Sequence, residues 1–166
     1  MRRSSKIFTR PKLRRQVARW RHAGEKIILT NGCFDVLHVG HIRSLRAAKA
    51  LGGRVIVALN SDSSVRALKG RGRPVVPQQE RAEVLAALAD VDAVVIFGEP
   101  DVRKLIRELR PDIHAKGTDY RRDSVPEREV VIECGGRVVI VGDRKRHSAT
   151  ALIARMKRSR PARSRR

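Results

Sequence analysis

Aromatic side chains are scarce in this chain: three Phe, one Trp and one Tyr make up 3% of 166 residues. No RNA-recognition aromatic motif and no zinc-finger spacing occur, which argues against the common nucleic-acid modules. Cysteine is nearly absent. Cys33 and Cys134 form neither a C-x-x-C pair nor a metal-ligand spacing, so free thiols are expected, with Cys33 as a small filler. No apolar run approaches the ~20 residues that a bilayer-spanning helix requires. The N-terminus, MRRSSKIFTRPKLRRQ, is basic but lacks the apolar stretch and cleavage site of a secretory signal, so a cytoplasmic protein without membrane contact is expected.

Acidic residues are missing from both ends. Residues 1–21 hold nine Lys/Arg and residues 155–166 hold seven, with no Asp or Glu in either stretch. Removing those sixteen from the 38 Lys/Arg leaves 22 against 17 acidic residues, so the body carries only +5 of the total +21. The charge therefore describes the termini, and no nucleic-acid partner is expected of the body. The expected organisation is a basic N-terminal arm with a short helix over 1–25, one globular domain over 26–157, and a basic, unstructured tail over 158–166.

Short apolar runs alternate with helical patterns. Strands are expected at 26–30, 54–60, 92–97, 112–116 and 137–141, each flanked by Gly, Pro or Asp. Helices are expected at 13–22, 40–51, 62–68, 78–89, 101–109, 125–134 and 148–157. In the helix over 78–89, Val84, Leu85 and Leu88 are expected to face the core and Arg81 the solvent. This alternation predicts an α/β fold: a Rossmann-like parallel sheet of about five strands with helices on both faces, in a single domain. Ligands in such sheets bind beyond the carboxyl ends of the strands. The loops after the first, second, fourth and fifth strands are therefore expected to converge on one cleft.

The first of those loops is the most informative. TNGCFDVLHVGHIRSL, Thr30 to Leu45, places His38 and His41 where a strand gives way to a helix. Unpaired backbone N–H groups and the helix dipole favour an anion there, and two imidazoles complete a phosphate cradle. Asn31 and Gly32 end the strand, with Gly32 open to close approach by a nucleotide. Gly40 precedes His41. Asp35 either caps the turn or orients a histidine. A protein-held metal is not expected, because His22, His114 and His147 stand outside any ligand spacing.

Three further segments carry candidates. Lys69 opens KGRGRPVVP, whose composition suits a mobile loop. The lysine either reaches a triphosphate as a point charge or is solvated. Lys116, Gly117 and Asp119, in KGTDY, are phosphate or acceptor contacts, or a plain turn. Ser148 and Thr150 stand at a helix start, where hydroxyls cap the helix or donate to a bound phosphate.

Together the phrases TNGCFDVLHVGH, ALNSDSSVRALKGRGRPVVPQQER, VLAALADVDAVVIF, DIHAKGTDY and HSATALI resemble the H-x-G-H nucleotidyltransferase superfamily, in family order across nearly all of 12–157. The strongest resemblance is to the heptose-1-phosphate adenylyltransferases. It departs from them in Ala149 for Thr, in Thr118 for the second Gly, and in the basic Arg144-Lys145-Arg146. The resemblance implies adenylyl transfer from ATP to a sugar 1-phosphate, with pyrophosphate released and Mg²⁺ carried by the nucleotide. It implies catalytic roles for His38, His41 and Lys69. Nucleotide or phosphate contacts would come from Asn31, Gly32, Phe34, Gly40, Lys116, Gly117, Asp119, Ser148 and Thr150. It also implies a homodimer, and a separate kinase to make the sugar phosphate. A cytidylyltransferase acting on glycerol 3-phosphate is the alternative, because those enzymes share the histidine and Ser/Thr motifs.

Overall fold

The apolar runs pair into one sheet in the computed structural model, which describes residues 5–143 and 149–158. The strands are β1 (Ile27–Gly32), β2 (Arg54–Asn60), β3 (Ala93–Phe97), β4 (Ile113–Gly117) and β5 (Arg137–Val141). They lie in the order β3-β2-β1-β4-β5, and every neighbouring pair is parallel. The chain builds outward from β1 to β3, then returns to the other side of β1 for β4 and β5. The reversal leaves a crevice at the carboxyl ends of β1 and β4, where ligands of such sheets bind.

Successive side chains of a strand point to opposite faces, and the two core layers follow that rule. Ile27, Leu29, Ile56, Ala58 and Val95 pack in one layer, while Ile28, Val55, Val57, Val94 and Ala115 pack in the other. Helices α1 (Arg10–His22), α5 (Arg103–Leu109) and α6 (Arg128–Glu133) cover the first layer through Leu13, Val17, Leu105, Ile106, Val130 and Val131. Helices α2 (Val39–Lys49) and α4 (Gln78–Ala86) cover the second through Leu45, Ala48, Ala82 and Leu85. The two remaining helices are α3 (Asp62–Lys69) and α7 (Ala149–Arg158).

Several expected boundaries move for local reasons. The helix expected over 125–134 becomes a 3-10 turn at Arg122–Ser124 followed by α6. Pro126 holds Val125 extended (φ −71°, ψ 119°), which delays the helix. Helix α5 starts at Arg103, whose backbone N–H donates to the Asp101 carboxylate at 2.9 Å. Lys69 closes α3 and does not belong to the loop after it. That loop is also tied down. The Asp35 carboxylate accepts from the N–H groups of Val75 (2.7 Å) and Val76 (3.0 Å) and pairs with Arg73 at 3.1 Å. Asp35 thus braces this loop, and the histidine-orienting role considered for it is not seen.

Helix α4 corrects the expected face. Val84 is 47% exposed, Leu88 lies beyond the helix and only partly buried, and Arg81 is 2% exposed among the core residues. No described helix is long and apolar enough to cross a membrane.

Candidate active site

Beyond Gly32 the chain turns through Phe34, a non-glycine residue at φ +43°, and enters α2 with His38 as the extended N-cap residue (φ −143°, ψ 169°). Gly32 leaves room for this turn: a Cβ there would sit 3.1 Å from Cε2 of the Phe34 ring and would press the ring aside by a few tenths of an ångström. The Phe34 ring in turn lies 5.0 Å from that of His41. His38 and His41 stack with ring centroids 3.8 Å apart, and the His38 backbone N–H donates to His41 Nδ1 at 3.3 Å. An Nδ1 that accepts a hydrogen bond leaves the proton of a neutral imidazole on Nε2. Burial, followed by the neighbouring charges of His38 and Lys69, pushes the His41 pKa down to about 4. At neutral pH His41 is therefore an uncharged Nε2–H donor at the N-terminus of α2.

The opposite wall is a buried polar chain. His114, 0% exposed on β4, meets Asn31 with Nε2 3.0 Å from Oδ1, and Lys116 donates to the same oxygen at 3.2 Å. An oxygen receiving the ammonium is an acceptor, so His114 must donate from Nε2. Burial and the Lys116 charge lower the His114 pKa to about 3, which keeps the ring neutral. Lys116 also pairs with buried Glu127 at 3.3 Å and lies over the Tyr120 ring at 4.6 Å. Burial lowers the Lys116 pKa, and Glu127 opposes that shift.

Every expected site residue except Ser148 lines one cavity of about 550 Å³, and Ser148 lies outside the described residues. The start of α2 contributes His38, Gly40 and His41, the ends of β1 and β4 and the turns beyond them contribute Asn31, Gly32, Phe34, Lys116, Gly117 and Asp119, and Lys69 and Thr150 come from α3 and α7. Two contributions were not foreseen. The end of β3 and the loop after it add Phe97, Pro100, Asp101 and Val102, and the start of α6 adds Glu127. The third omission is Arg81. Its guanidinium donates to the carbonyls of Val76 (2.8 Å), Cys33 (2.6 Å) and Asn60 (2.9 Å) and to Asp62 Oδ1 (2.6 Å). It clasps the β1–α2 loop, the end of β2, the start of α3 and the loop before α4. The spacing KG-x-x-RP-x-x-P-x-x-x-R, which ends on Arg81, was the available signal.

A five-stranded parallel sheet with a helix entered through His38 at its switch point defines a Rossmann-like α/β domain. Comparison with known proteins sharpens the class. The cytidylyltransferase-like family model matches residues 29–165, and the chain belongs to that family. It is a nucleotidyltransferase by that membership. The chain is 53% identical over 149 residues to the bifunctional protein HldE of Koribacter versatilis, covering 90% of this chain and 31% of that protein. It is 48% identical over 153 residues to the bifunctional protein HldE of Magnetococcus marinus, covering 92% and 31%. The chain thus spans about a third of the length of these curated relatives. Among solved structures it resembles the lipopolysaccharide core biosynthesis protein of Thermoplasma volcanium at TM-score 0.63 and 27% identity, covering 74% of this chain and 100% of that one.

Proposed function

We propose that this chain transfers an adenylyl group from ATP to a sugar 1-phosphate, heptose 1-phosphate in first place, forming an ADP-sugar and pyrophosphate. The observation that carries the reading is the His38–His41 pair: two stacked imidazoles at a helix N-terminus, one of them fixed as a neutral Nε2–H donor facing the cavity. In-line displacement at the α-phosphorus needs positioning and stabilisation of oxygen charge more than a protein nucleophile. The acceptor's phosphate oxygen forms the new bond to phosphorus while the bond to pyrophosphate breaks. His38 and His41 donate to phosphate oxygens as charge builds on them. Lys69, at the end of α3, adds a positive charge, and Thr150 with Ser148 would hold phosphate from α7. Lys116 and Asn31 would anchor the ligand, and Asp119 would stand beside the nucleotide or acceptor.

Among the described residues no group of three or more His, Cys, Asp or Glu could hold a metal ion. A divalent cation, Mg²⁺ in this reading, would be carried by the triphosphate and neutralise its charge. The transfer domain is taken as 26–157, with α1 of the 1–25 arm docked on its sheet; of the expected tail over 158–166, residues 159–166 lie outside the described residues. The resemblance to heptose-1-phosphate adenylyltransferases and the similarity to a lipopolysaccharide core biosynthesis protein both support a sugar acceptor. The deciding experiment is a panel of ATP and CTP against heptose 1-phosphate and glycerol 3-phosphate, read by pyrophosphate release. Turnover with ATP and the sugar phosphate is expected. Turnover confined to CTP with glycerol 3-phosphate would replace the proposal with the cytidylyl reading.

A further inference from the structure

The cavity has two walls of opposite character, and strand geometry assigns them to opposite faces of the sheet. Leu29 of β1 packs in the α1–α5–α6 layer, whereas Ile113 and Ala115 of β4 pack in the other. By alternation, Asn31, His114 and Lys116 project toward α5 and α6. His38 and His41 stand across the cavity, at the start of α2 on the other face. The α2 wall offers N–H donors. The wall toward α5 and α6 carries two carboxylates, Glu127 and Asp101. A carboxylate only accepts hydrogen bonds, and beside a phosphate it repels. The same wall also carries Asn31 and the Lys116 ammonium, so a ligand with a phosphate at one end and hydroxyls, which both donate and accept, at the other suits both walls.

Glu127 is the more informative of the two. It is 7% exposed and lines the cavity, yet its buried Oε2 accepts no hydrogen bond among the described residues. That oxygen has the Lys116 ammonium 3.3 Å away, and the same ammonium is shared with Asn31. Buried carboxylates are normally satisfied by several donors, because removing the charge from water is costly. Among the described residues one shared cation faces this oxygen. Packing of this region is already provided by Val125, Val130 and Val131, so an acid is not required to close the core. The missing donors are those a ligand would bring.

We propose that Glu127, supported by Asp101, forms the acceptor subsite and determines its specificity. The carboxylates accept hydrogen bonds from vicinal hydroxyls of a polyol phosphate, whose phosphate points toward the α2 histidines. Lys116 balances the Glu127 charge, so the carboxylate can stand in a cavity that also admits phosphate. The inference rests on the proposed transfer reaction for its orientation and adds the class of acceptor chemistry that the site selects.

Binding to the full chain tests it by calorimetry, with mannose 1-phosphate, inorganic phosphate and ATP as separate probes. The chain is expected to bind mannose 1-phosphate at least ~10-fold tighter than inorganic phosphate. Glu127→Gln should reduce that ratio by ~10-fold or more while changing ATP affinity less than ~2-fold. Asp101→Asn, on a half-exposed residue, should lower the same ratio by ~3-fold, and it carries the test should Glu127→Gln not fold. An unchanged ratio, or an equal loss of ATP affinity, would overturn the subsite. Because binding is read without turnover, the two proposals fail separately. Sugar-phosphate binding through Glu127 without adenylyl transfer refutes the reaction alone. Adenylyl transfer with acceptor discrimination untouched in Glu127→Gln refutes the subsite alone.

Discussion

Replacing Arg81 by Met would probe the clasp beneath the site directly. The substitution keeps most of the volume and removes a guanidinium that serves three main-chain carbonyls and Asp62 from a position only 2% exposed. Each buried carbonyl left without its donor loses ~1–3 kcal/mol, and breaking a buried pair by deleting one partner typically costs ~3–5 kcal/mol. These contributions overlap, because Asp62 is partly exposed and water can reach it. A net loss of about 4 kcal/mol is expected, against a typical total stability of ~5–15 kcal/mol. For a chain of this size that corresponds to a fall of ~8–16 °C in Tm. Arg81→Lys should lose about half as much, since one ammonium cannot span the fork of contacts. Urea unfolding at pH 7.5 measures both. A loss below ~1 kcal/mol for Arg81→Met would refute the clasp.

Three further predictions concern chemistry, protons and packing. His41→Ala should lower kcat at least ~100-fold in the pyrophosphate-release assay, by loss of a donor to the transition state, and a near-normal rate would remove His41 from the proposed mechanism. His41 and His114 titrate near 4 and 3 in the folded chain against 6.5 for the free residue. Between pH 6.5 and about 4 for His41, and about 3 for His114, the unfolded chain thus binds more protons. Their contribution is complete above pH 6.5 and is lost as pH falls through that window. Urea midpoints should decline from pH 7 to 4.5, and His114→Gln should flatten the slope; an unchanged slope would contradict the buried neutral ring. Gly53→Ala would place a Cβ 2.6 Å from the Lys26 carbonyl, which already accepts from Arg54 N–H at 2.8 Å. A loss of ~1–3 kcal/mol is expected from the forced backbone shift, and a neutral result in thermal melts would show that the β1–β2 edge yields easily.

The strands were legible because parallel strands covered on both faces are apolar throughout, and Ile27–Leu29 and Val55–Leu59 are fully buried. The histidine cradle was legible because its members lie within one turn of a helix, so sequence spacing equals spatial spacing. Arg81 was not. Periodicity ranks residues by apolarity, and an arginine satisfied by three carbonyls from separate segments has no periodic signature; only the spacing that ends on it pointed there. Glu127 was hidden for a similar reason. It meets Lys116 across the 3-10 turn and Pro126, and only the return of the chain to α6 brings the two within 3.3 Å. The loop after β3 was passed over because Gly98 to Val102 contains no imidazole or lysine to draw notice.

Asn31 gives the site a fixed polarity. Its Oδ1 receives both the His114 ring and the Lys116 ammonium, so the side-chain amide has one permissible orientation and presents Nδ2 as its remaining group. A position of this kind works as a one-way valve for chemistry: it greets any oxygen with a free lone pair, phosphate, carbonyl or hydroxyl alike, and turns away a group that brings only hydrogens, such as an ammonium. Asn31→Asp would reverse that sense with no change of shape. It would also set a second carboxylate against Lys116, in competition with Glu127 for the one cation they would share.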